Sequence, residues 1–356
     1  MTSNTPIPII IINWKGIKDT LECVESVLKM NFQNFKVYLV ENGSDDGSAD
    51  ILMKKYGNHP KIDVCLNADN LGFTKANNLI FRRILEADHK PEYIALLNND
   101  TSVDKGWLGN LVIGAEKRGS AVTSSKMIDY YDRSLMDNAG HLMLNTGEVI
   151  PIGHARSVKD YCKGFKNMGA CAGAGLYATR MLEDIGVFDE HFTTGYEDAE
   201  LGIRAVVSGY QCWYEPTAIV YHKMGQSIKK IFNYNYSLMI QKNIWYSYIK
   251  LMPGILILMT IPSFLVKYLA LFFLNIIYRR TKFMKIIFIS IKEALWQELD
   301  IALQARRNFS PKKRVGFLKI SRRQHFFLWM DMIRFYKYFI LNKHTSIDVY
   351  GKIEKV

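Results

Sequence analysis

Short apolar runs alternate with amphipathic segments through the N-terminal part of the chain. β-Branched and aliphatic runs bounded by turn residues predict strands at residues 7–12, 37–40, 62–66, 93–97 and 121–127. Apolar residues spaced three or four apart predict helices at residues 21–28, 51–56, 76–85 and 107–118, the third of them capped by Thr74. This alternation predicts an α/β fold with a mostly parallel sheet and helices on both faces.

Polar residues follow three of the predicted strands at the points where the strands end. Asn13 follows the first strand, Glu41 the second and Asp100 the fourth. Because ligands bind beyond the carboxyl ends of the strands in open α/β sheets, we expect a binding site along this edge. No GxGxxG run follows the first strand, so the site does not have the pattern of a dinucleotide site.

The pattern becomes irregular between residues 129 and 168, where Tyr, Asn, Gly and His are frequent and a hairpin is predicted near residues 145–147. We expect this region to cover the edge of the sheet. The run of small residues at 169–175 has two interpretations: its backbone approaches a ligand closely, or a helix packs tightly against a strand there. Residue types alone leave both open.

Two acidic residues, Glu197 and Asp198, open an apolar-periodic segment that predicts a helix ending near Gly209. Acidic side chains stabilise the positive end of a helix, which is one explanation for this pair. The other is that Asp198 faces a cleft and acts as a general base towards a hydroxyl group within hydrogen-bond reach.

Five segments of the chain, in order, resemble glycosyltransferase family 2, the inverting nucleotide-sugar enzymes with a GT-A (Rossmann-like) fold. They are ENGSDDGS at 41–48, NLGFTKANN at 70–78, LLNNDT at 96–101, GAGLYATR at 173–180 with IGVFDEHF at 185–192, and GYEDAELGIRA at 195–205. The likeness covers roughly residues 7–222 and is greatest to the rhamnosyltransferase-like bacterial members. It implies transfer of a sugar from a nucleotide-diphosphate donor, with dTDP-rhamnose as one candidate.

The resemblance also implies roles for individual residues. Asp198 matches the general base, and Glu197 is expected to orient an acceptor hydroxyl. Asp100 and His222 match metal ligands, and Mn²⁺ or Mg²⁺ is the expected ion, with the imidazole favouring Mn²⁺. The donor-binding residues implied in this way are Asn13, Glu41, Asn42, Asp45, Asn70, Gly72, Lys75, Asn78, Asn98, Asn99 and Gly173.

Several of these residues also have simpler interpretations. The family's metal motif has a carboxylate where this chain has Asn98, so weaker metal binding is expected. The alternative for the loop containing Glu41 and Asp45 is a solvated acidic loop. A lone histidine after an apolar strand, such as His222, is more often structural.

The C-terminal region combines apolar and basic residues. Residues 251–278 are strongly apolar apart from interruptions such as Pro262 and Lys267. Residues 279–323 contain thirteen Lys or Arg and three acidic residues, a net charge of +10, so this stretch holds most of the net charge of +12. We therefore expect a catalytic domain at residues 1–240 and a helical region at 241–356 that contacts an anionic membrane surface. A buried helical subdomain with a solvated basic surface is the alternative, and nucleic-acid binding is disfavoured because no recognition module is visible.

The remaining features concern location and competing functions. Five cysteines without CxxC spacing favour a reducing cytoplasm, and the N-terminus has no pattern of a secretory signal. We expect a cytoplasmic enzyme, peripheral at the inner face of the cell membrane, that acts on a glycan or lipid-linked acceptor in cell-surface polysaccharide synthesis. The alternatives are a nucleotidyltransferase or other nucleotide-binding α/β protein, and a non-catalytic binding protein.

Overall fold

The computed structural model describes residues 5–193, 195–223, 234–277 and 298–326, with a few isolated residues between 285 and 296. The chain divides into two compact units. The first consists of residues 1–141 and 151–227, and the second of residues 142–150 and 228–356. A short internal segment of the irregular region therefore belongs to the C-terminal unit.

The strands, in chain order, are β1 Ile7–Asn13, β2 Phe35–Asn42, β3 Ile62–Asn67, β4 Tyr93–Leu97, β5 Thr101–Val103, β6 Val122–Asp129, β7 Met136–Asn138, β8 His141–Leu144, β9 Val149–Pro151, β10 Ala174–Ala178, β11 Cys212–His222 and β12 Gln324–His325. The helices are α1 Ile17–Leu28, α2 Ser48–Tyr56, α3 Gly72–Leu85, α4 Trp107–Arg118, α5 Thr179–Ile185, α6 Glu197–Val207, α7 Tyr234–Leu251, α8 Gly254–Ile277, α9 Leu299–Phe309 and α10 Phe317–Ser321.

The first unit is built on a nine-stranded sheet in the order β3-β2-β1-β4-β10-β6-β11-β5, with β7 paired to β6. β1 lies between β2 and β4 and is parallel to both. Its central residues Ile9, Ile10 and Ile11 are almost fully buried, as expected for a strand covered on both faces. The predicted α/β fold with helices on both faces is confirmed.

The sheet is mixed, because β10 runs antiparallel between β4 and β6, β5 runs antiparallel to β11, and β7 runs antiparallel to β6. The segment of small residues at 169–173 brings the chain back to the edge of the sheet at the carboxyl ends of β1, β2 and β4, and β10 begins there. The N-terminal end of β10 therefore lies at this edge, with Ala174 opposite Leu97. β11 pairs with β6 and β5, and this places His222 opposite Thr101, one residue from Asp100.

The prediction that Thr74 caps a helix is wrong. α3 begins at Gly72, and Thr74 is buried inside its first turn. Gly72 has a φ of +74°, a backbone conformation that glycine adopts without strain, so the chain turns directly into the helix. The side-chain oxygen of Asn70 accepts a hydrogen bond from the Gly72 N–H at 2.9 Å and supports this turn.

The second unit contains the predicted hairpin, since β8 and β9 are neighbours in a three-stranded sheet with β12. The Tyr248 hydroxyl donates to the Asn145 carbonyl at 2.9 Å, and Lys267 forms an ion pair with Glu148. This largely buried ion pair explains how an apolar helix accommodates Lys267. The hairpin is thus anchored to α7 and α8.

Cationic side chains cap the C-terminal end of α7. Arg306 donates to the carbonyls of Ile249 and Met252, and Lys313 donates to the carbonyl of Lys250. Positive charge is favourable at this end of a helix. Burial lowers the pKa of Lys313 to about 8.

The helix α8 has 24 residues and carries large apolar side chains that are exposed, among them Leu258, Leu265, Leu269 and Phe273. In the part of the chain that the structure describes, no helix combines the length and apolarity needed to cross a membrane. The basic residues at 279–284, which were expected to flank this helix, lie outside the described residues.

Candidate active site

The helix α6 begins after two residues with positive φ, Gly195 at +80° and Tyr196 at +81°. Tyr196 is a non-glycine residue in this region, so the turn stores some strain just ahead of the acidic pair. Asp198 accepts a hydrogen bond from the Ala172 N–H at 2.9 Å through one oxygen, and from the Ala199 N–H at 2.7 Å through the other. Its side chain is 17% exposed. The Asp198 carboxylate is therefore held in place yet remains partly open.

A histidine that the sequence did not single out lies beside Asp198. His141 places Nε2 3.9 Å from the Asp198 carboxylate and is buried. Burial lowers the pKa of His141, although the negative charge of Asp198 opposes the effect. Its Nδ1 has no hydrogen-bond partner among the described residues. The only signal in the sequence was the high frequency of histidine in the irregular region.

Glu197 is buried, with 6% of its surface exposed. Burial, followed by the negative charge of Asp198, raises the pKa of Glu197 to about 8. Oε2 of Glu197 lacks a hydrogen-bond partner within the described part of the chain. At neutral pH the Glu197 carboxyl is therefore mainly protonated and can donate a hydrogen bond, whereas an ionised carboxylate can only accept one.

On the other side of the site, two carboxylates and two imidazoles form a chain. Nε2 of His222 lies 3.2 Å from the Asp100 carboxylate, and its Nδ1 lies 2.7 Å from Asp137. His154 places Nδ1 3.2 Å from the other oxygen of Asp137. Burial alone would lower the pKa of His222, but Asp100 and Asp137 outweigh it and raise the pKa to about 10. Asp137 and His154 are further residues that the sequence did not indicate.

The spacing of Asp100 and His222 suits two ligands of one metal ion. Adjacent ligand atoms of an octahedral ion at about 2.1 Å lie about 3 Å from each other, close to the 3.2 Å between Nε2 and the carboxylate oxygen. Among the described residues, however, no group of three or more His, Cys, Asp or Glu side chains is arranged to hold a metal. A metal held here would therefore need oxygen ligands from a substrate or water.

The segment of small residues connects the two sides of the site. The Ala172 N–H contacts Asp198, and the carbonyl of the next residue, Gly173, accepts from the Asn98 N–H at 2.9 Å. Because two residues span at most about 7 Å, the Asp198 carboxylate lies within roughly 13 Å of the Asn98 nitrogen. A Cβ at Gly173 would approach the Asn98 side chain to 3.2 Å, so a glycine fits this close approach best.

At the ends of β1 and β2, the predicted donor residues hold one another. The Glu41 carboxylate accepts hydrogen bonds from the Gly43 and Ser44 N–H groups, both at 3.1 Å. Asn13 donates to Glu41 and Ser44, and Asn99 donates to Thr20, which in turn donates to Asn13. Asn13, Glu41 and Asn99 are all buried. These three side chains therefore shape the loop after β2 from beneath.

The other predicted donor residues lie in three environments. Asn42 is buried and joins Asn67 and Asn70 in a network of side-chain amides, each contact 3.0 Å long. Asp45 and Lys75 are exposed. The buried side chain of Asn78 instead donates to the Phe188 carbonyl at 2.9 Å and to Glu190 at 3.1 Å, so it supports the segment before α6.

Comparison with known proteins decides the family. The model of the family described as "Glycosyl transferase family 2" matches residues 9–186, half of the chain. The chain belongs to glycosyl transferase family 2. The prediction of this family is confirmed, and it places the chain among transferases. The family match ends before α6, so the roles of Glu197 and Asp198 do not follow from it.

Three relatives illustrate the likeness of this family 2 chain. The O-antigen biosynthesis protein RfbC of Myxococcus xanthus is 26% identical over 222 residues, covering 58% of this chain and 16% of RfbC. The structure of GalNAc-T7 with UDP, GalNAc and Mn²⁺ has a TM-score of 0.54 at 13% identity, covering 68% of this chain and 47% of GalNAc-T7. That of Staphylococcus aureus TarS 1–349 with UDP-GlcNAc has a TM-score of 0.50 at 18% identity, covering 69% of this chain and 67% of TarS 1–349.

The two structures show the fold, and they support the GT-A architecture predicted from the sequence. The chain spans about a quarter or less of the length of the first curated relatives that it matches. The activity of those longer proteins therefore does not transfer to this family 2 chain as a whole.

Proposed function

We propose that this family 2 protein is an inverting glycosyltransferase that moves a sugar from a nucleotide-diphosphate donor to a hydroxyl group of a glycan or lipid-linked acceptor. The observation that carries the proposal is Asp198, a fixed and partly open carboxylate tied through Ala172 and Gly173 to the Asn98–Asp100 segment. The UDP-sugar components bound to GalNAc-T7 and TarS support a nucleotide-sugar donor. The name of RfbC supports a role in cell-surface polysaccharide synthesis, and dTDP-rhamnose is our proposed donor by resemblance.

Asp198 removes the proton from the acceptor hydroxyl as its oxygen attacks the anomeric carbon of the sugar. The bond from this carbon to the diphosphate breaks in the same displacement, which inverts the configuration. No covalent intermediate is needed, so one ionised carboxylate on the attacking side suffices. Protonated Glu197 donates a hydrogen bond that orients the acceptor.

Asp100 and His222 would hold a divalent ion, Mn²⁺ or Mg²⁺, together with oxygen atoms of the diphosphate. Such an ion neutralises negative charge on the leaving diphosphate. Imidazole binds a metal only after losing its proton, so binding would displace the proton that Asp100 and Asp137 now stabilise on His222.

The nucleotide, in our proposal, lies over the loop after β2 and the start of α3. Asn42, Asn70 and Gly72 form one wall, and the exposed side chains of Asp45 and Lys75 contact the donor directly. The buried groups Asn13, Glu41 and Asn99 act indirectly, because their hydrogen bonds fix the loop. Asn98 and Gly173 border the diphosphate, and Asn78 steadies the segment before α6.

Substitution of Asp198 tests the proposed base. Asp198→Asn keeps the shape of the side chain, so we expect donor binding by calorimetry to stay near normal while turnover falls by about 10²–10⁴-fold. Asp50→Asn, which changes an exposed acid on α2, is the control and should leave both quantities unchanged. Near-normal turnover of the Asp198 variant would remove this residue from the base role.

A panel of nucleotide sugars identifies the donor, and NMR of the product reports the anomeric configuration. A product with retained configuration would contradict a single displacement. Release of pyrophosphate from a nucleoside triphosphate would instead favour a nucleotidyltransferase.

We further propose that residues 241–356 form a helical region that binds peripherally to an anionic membrane surface at the cytoplasmic face. The exposed apolar residues of α8 and the basic sequence after it support this proposal. Leu265→Ser should weaken binding to anionic liposomes, whereas Leu79→Ser, an exposed leucine on α3, should not. Absence of wild-type binding at low salt would refute the membrane proposal.

A further inference from the structure

One short segment contacts both sides of the candidate site. Asp137 lies 2.7 Å from His222, and His141 lies 3.9 Å from Asp198. We propose that residues 137–141 form a positioning element. Asp137 at one end fixes His222, a proposed metal ligand, and His141 at the other end fixes Asp198, the proposed base. The inference rests on the proposed function, since it assigns these two residues to the same site.

The backbone of the positioning element is buried and held from several directions. The Ala139 N–H donates to the Ile152 carbonyl and the His141 N–H to the Gly169 carbonyl, both at 2.9 Å. Gly140 has a φ of +99°, and a Cβ there would collide with the Asn167 side chain. These hydrogen bonds and the close packing at Gly140 hold the segment in place between Asp137 and His141.

Asp137 acts on His222. Its carboxylate bridges His222 and His154 through different oxygens, and His154 also contacts the Asp137 carbonyl oxygen at 2.9 Å. A carboxylate on Nδ1 fixes the rotation of the imidazole ring and points Nε2 towards Asp100. Such contacts to a metal-binding histidine typically change metal affinity by about 10–100-fold.

His141 acts on Asp198. The N–H contacts from Ala172 and Ala199 hold the two Asp198 oxygens from the backbone, and the His141 ring closes a third side. A distance of 3.9 Å exceeds that of a hydrogen bond, and contacts between catalytic groups often shorten when a substrate binds. His141 thereby restricts the orientation of the carboxylate at the moment when it accepts a proton.

The test uses the full chain and separates the two ends of the element. Asp137→Asn should weaken Mn²⁺ binding by about 10–100-fold. Electron paramagnetic resonance measures this binding in two experiments, one with UDP present and one with dTDP present. Saturating Mn²⁺ should restore most of the kcat of this variant. His141→Gln should lower kcat about tenfold or more, with the KM for donor and the Mn²⁺ affinity unchanged. Asp132→Asn and His89→Gln alter exposed residues of the same types and should change none of these quantities.

Opposite results overturn the inference in distinct ways. If both variants lose metal affinity and kcat in parallel with a large drop in Tm, the segment is structural only. If a variant fails to fold, His141→Asn and Asp137→Glu replace it. Each keeps a polar group but changes the length of the side chain, so unchanged kcat in the first and unchanged Mn²⁺ affinity in the second would refute positioning. Full turnover by Asp198→Asn would defeat the proposed function, whereas an inactive Asp198→Asn beside an unaffected His141→Gln would defeat this inference alone.

Discussion

Replacement of Arg204 by methionine removes a buried cation that holds α6 in place. The Arg204 guanidinium donates to the Glu200 carboxylate at 2.7 Å and 3.1 Å, and the two side chains are 5% and 0% exposed. It also donates to three backbone carbonyls, those of Ile185, Gly186 and Val187, at 2.8, 3.2 and 2.7 Å. One side chain thus connects the helix that bears Asp198 to the turn after α5.

The expected cost follows from these contacts. Removing one partner of a buried ion pair destabilises a protein by about 3–5 kcal/mol, because the remaining buried charge loses its counter-ion. The three carbonyls that lose a donor add about 1 kcal/mol each at most, and such effects are not additive. We therefore expect Arg204→Met to lower the free energy of unfolding by at least about 3 kcal/mol. Arg204→Lys keeps the charge but cannot reach all four acceptors, so its loss should be intermediate.

Urea unfolding measures the decrease in the free energy of unfolding as the shift in the unfolding midpoint multiplied by the m-value. Lys55→Met is the matched control, because the side chains of its ion pair with Glu25 are 42% and 49% exposed and water screens their attraction, so its loss should be far smaller than that of Arg204→Met. The double variant Glu200→Leu/Arg204→Met should be more stable than Arg204→Met alone, since it removes the carboxylate together with its counter-ion. A loss below about 1 kcal/mol for Arg204→Met would refute the reasoning.

Three further predictions concern packing, pH and the second unit. Gly202→Ala places a methyl group 2.6 Å from the Gly169 Cα and should lower the free energy of unfolding by about 1–3 kcal/mol in the same urea assay. Gly109→Ala is the control, because its nearest new contact is 3.7 Å away, and it should raise the free energy of unfolding by up to about 1 kcal/mol. Because the pKa of Glu197 is raised from 4.5 to about 8 in the folded protein, the wild type should lose stability between these pH values, and thermal melts of Glu197→Gln should lack that loss. An equal pH slope in both proteins would contradict the burial of Glu197. Arg306→Ala removes the donor to the last carbonyls of α7 and should speed amide hydrogen exchange there, with Arg307→Ala as the control.

The core of the first unit was predictable because burial imposes a pattern on the sequence. Residues 7–12 of β1 are apolar since both faces of the strand are covered, and Asn13 ends the strand at the edge where the candidate site lies. The antiparallel direction of β10 was not predictable, because direction depends on where the chain returns to the sheet and leaves no periodic signal.

The site was less predictable than the sheet. Asp137 and His141 lie in a region without hydrophobic periodicity, and their partners are distant in sequence. Glu41 stands where the family resemblance implies a nucleotide contact, yet its carboxylate is occupied by two backbone N–H groups. Residue type and position indicate which groups reach the site, whereas local hydrogen bonds decide whether a group faces a ligand.

The most direct test of the proposed active site is a crystal structure of the protein with Mn²⁺ and a nucleoside diphosphate, read by the anomalous signal of the metal. The account predicts a single strong peak within about 2.3 Å of both Asp100 and His222, with Asp198 facing the diphosphate across a gap of the size of one sugar. A nucleotide and metal bound elsewhere, or a peak that Asp198 cannot face, would contradict the proposal that these residues form one active site.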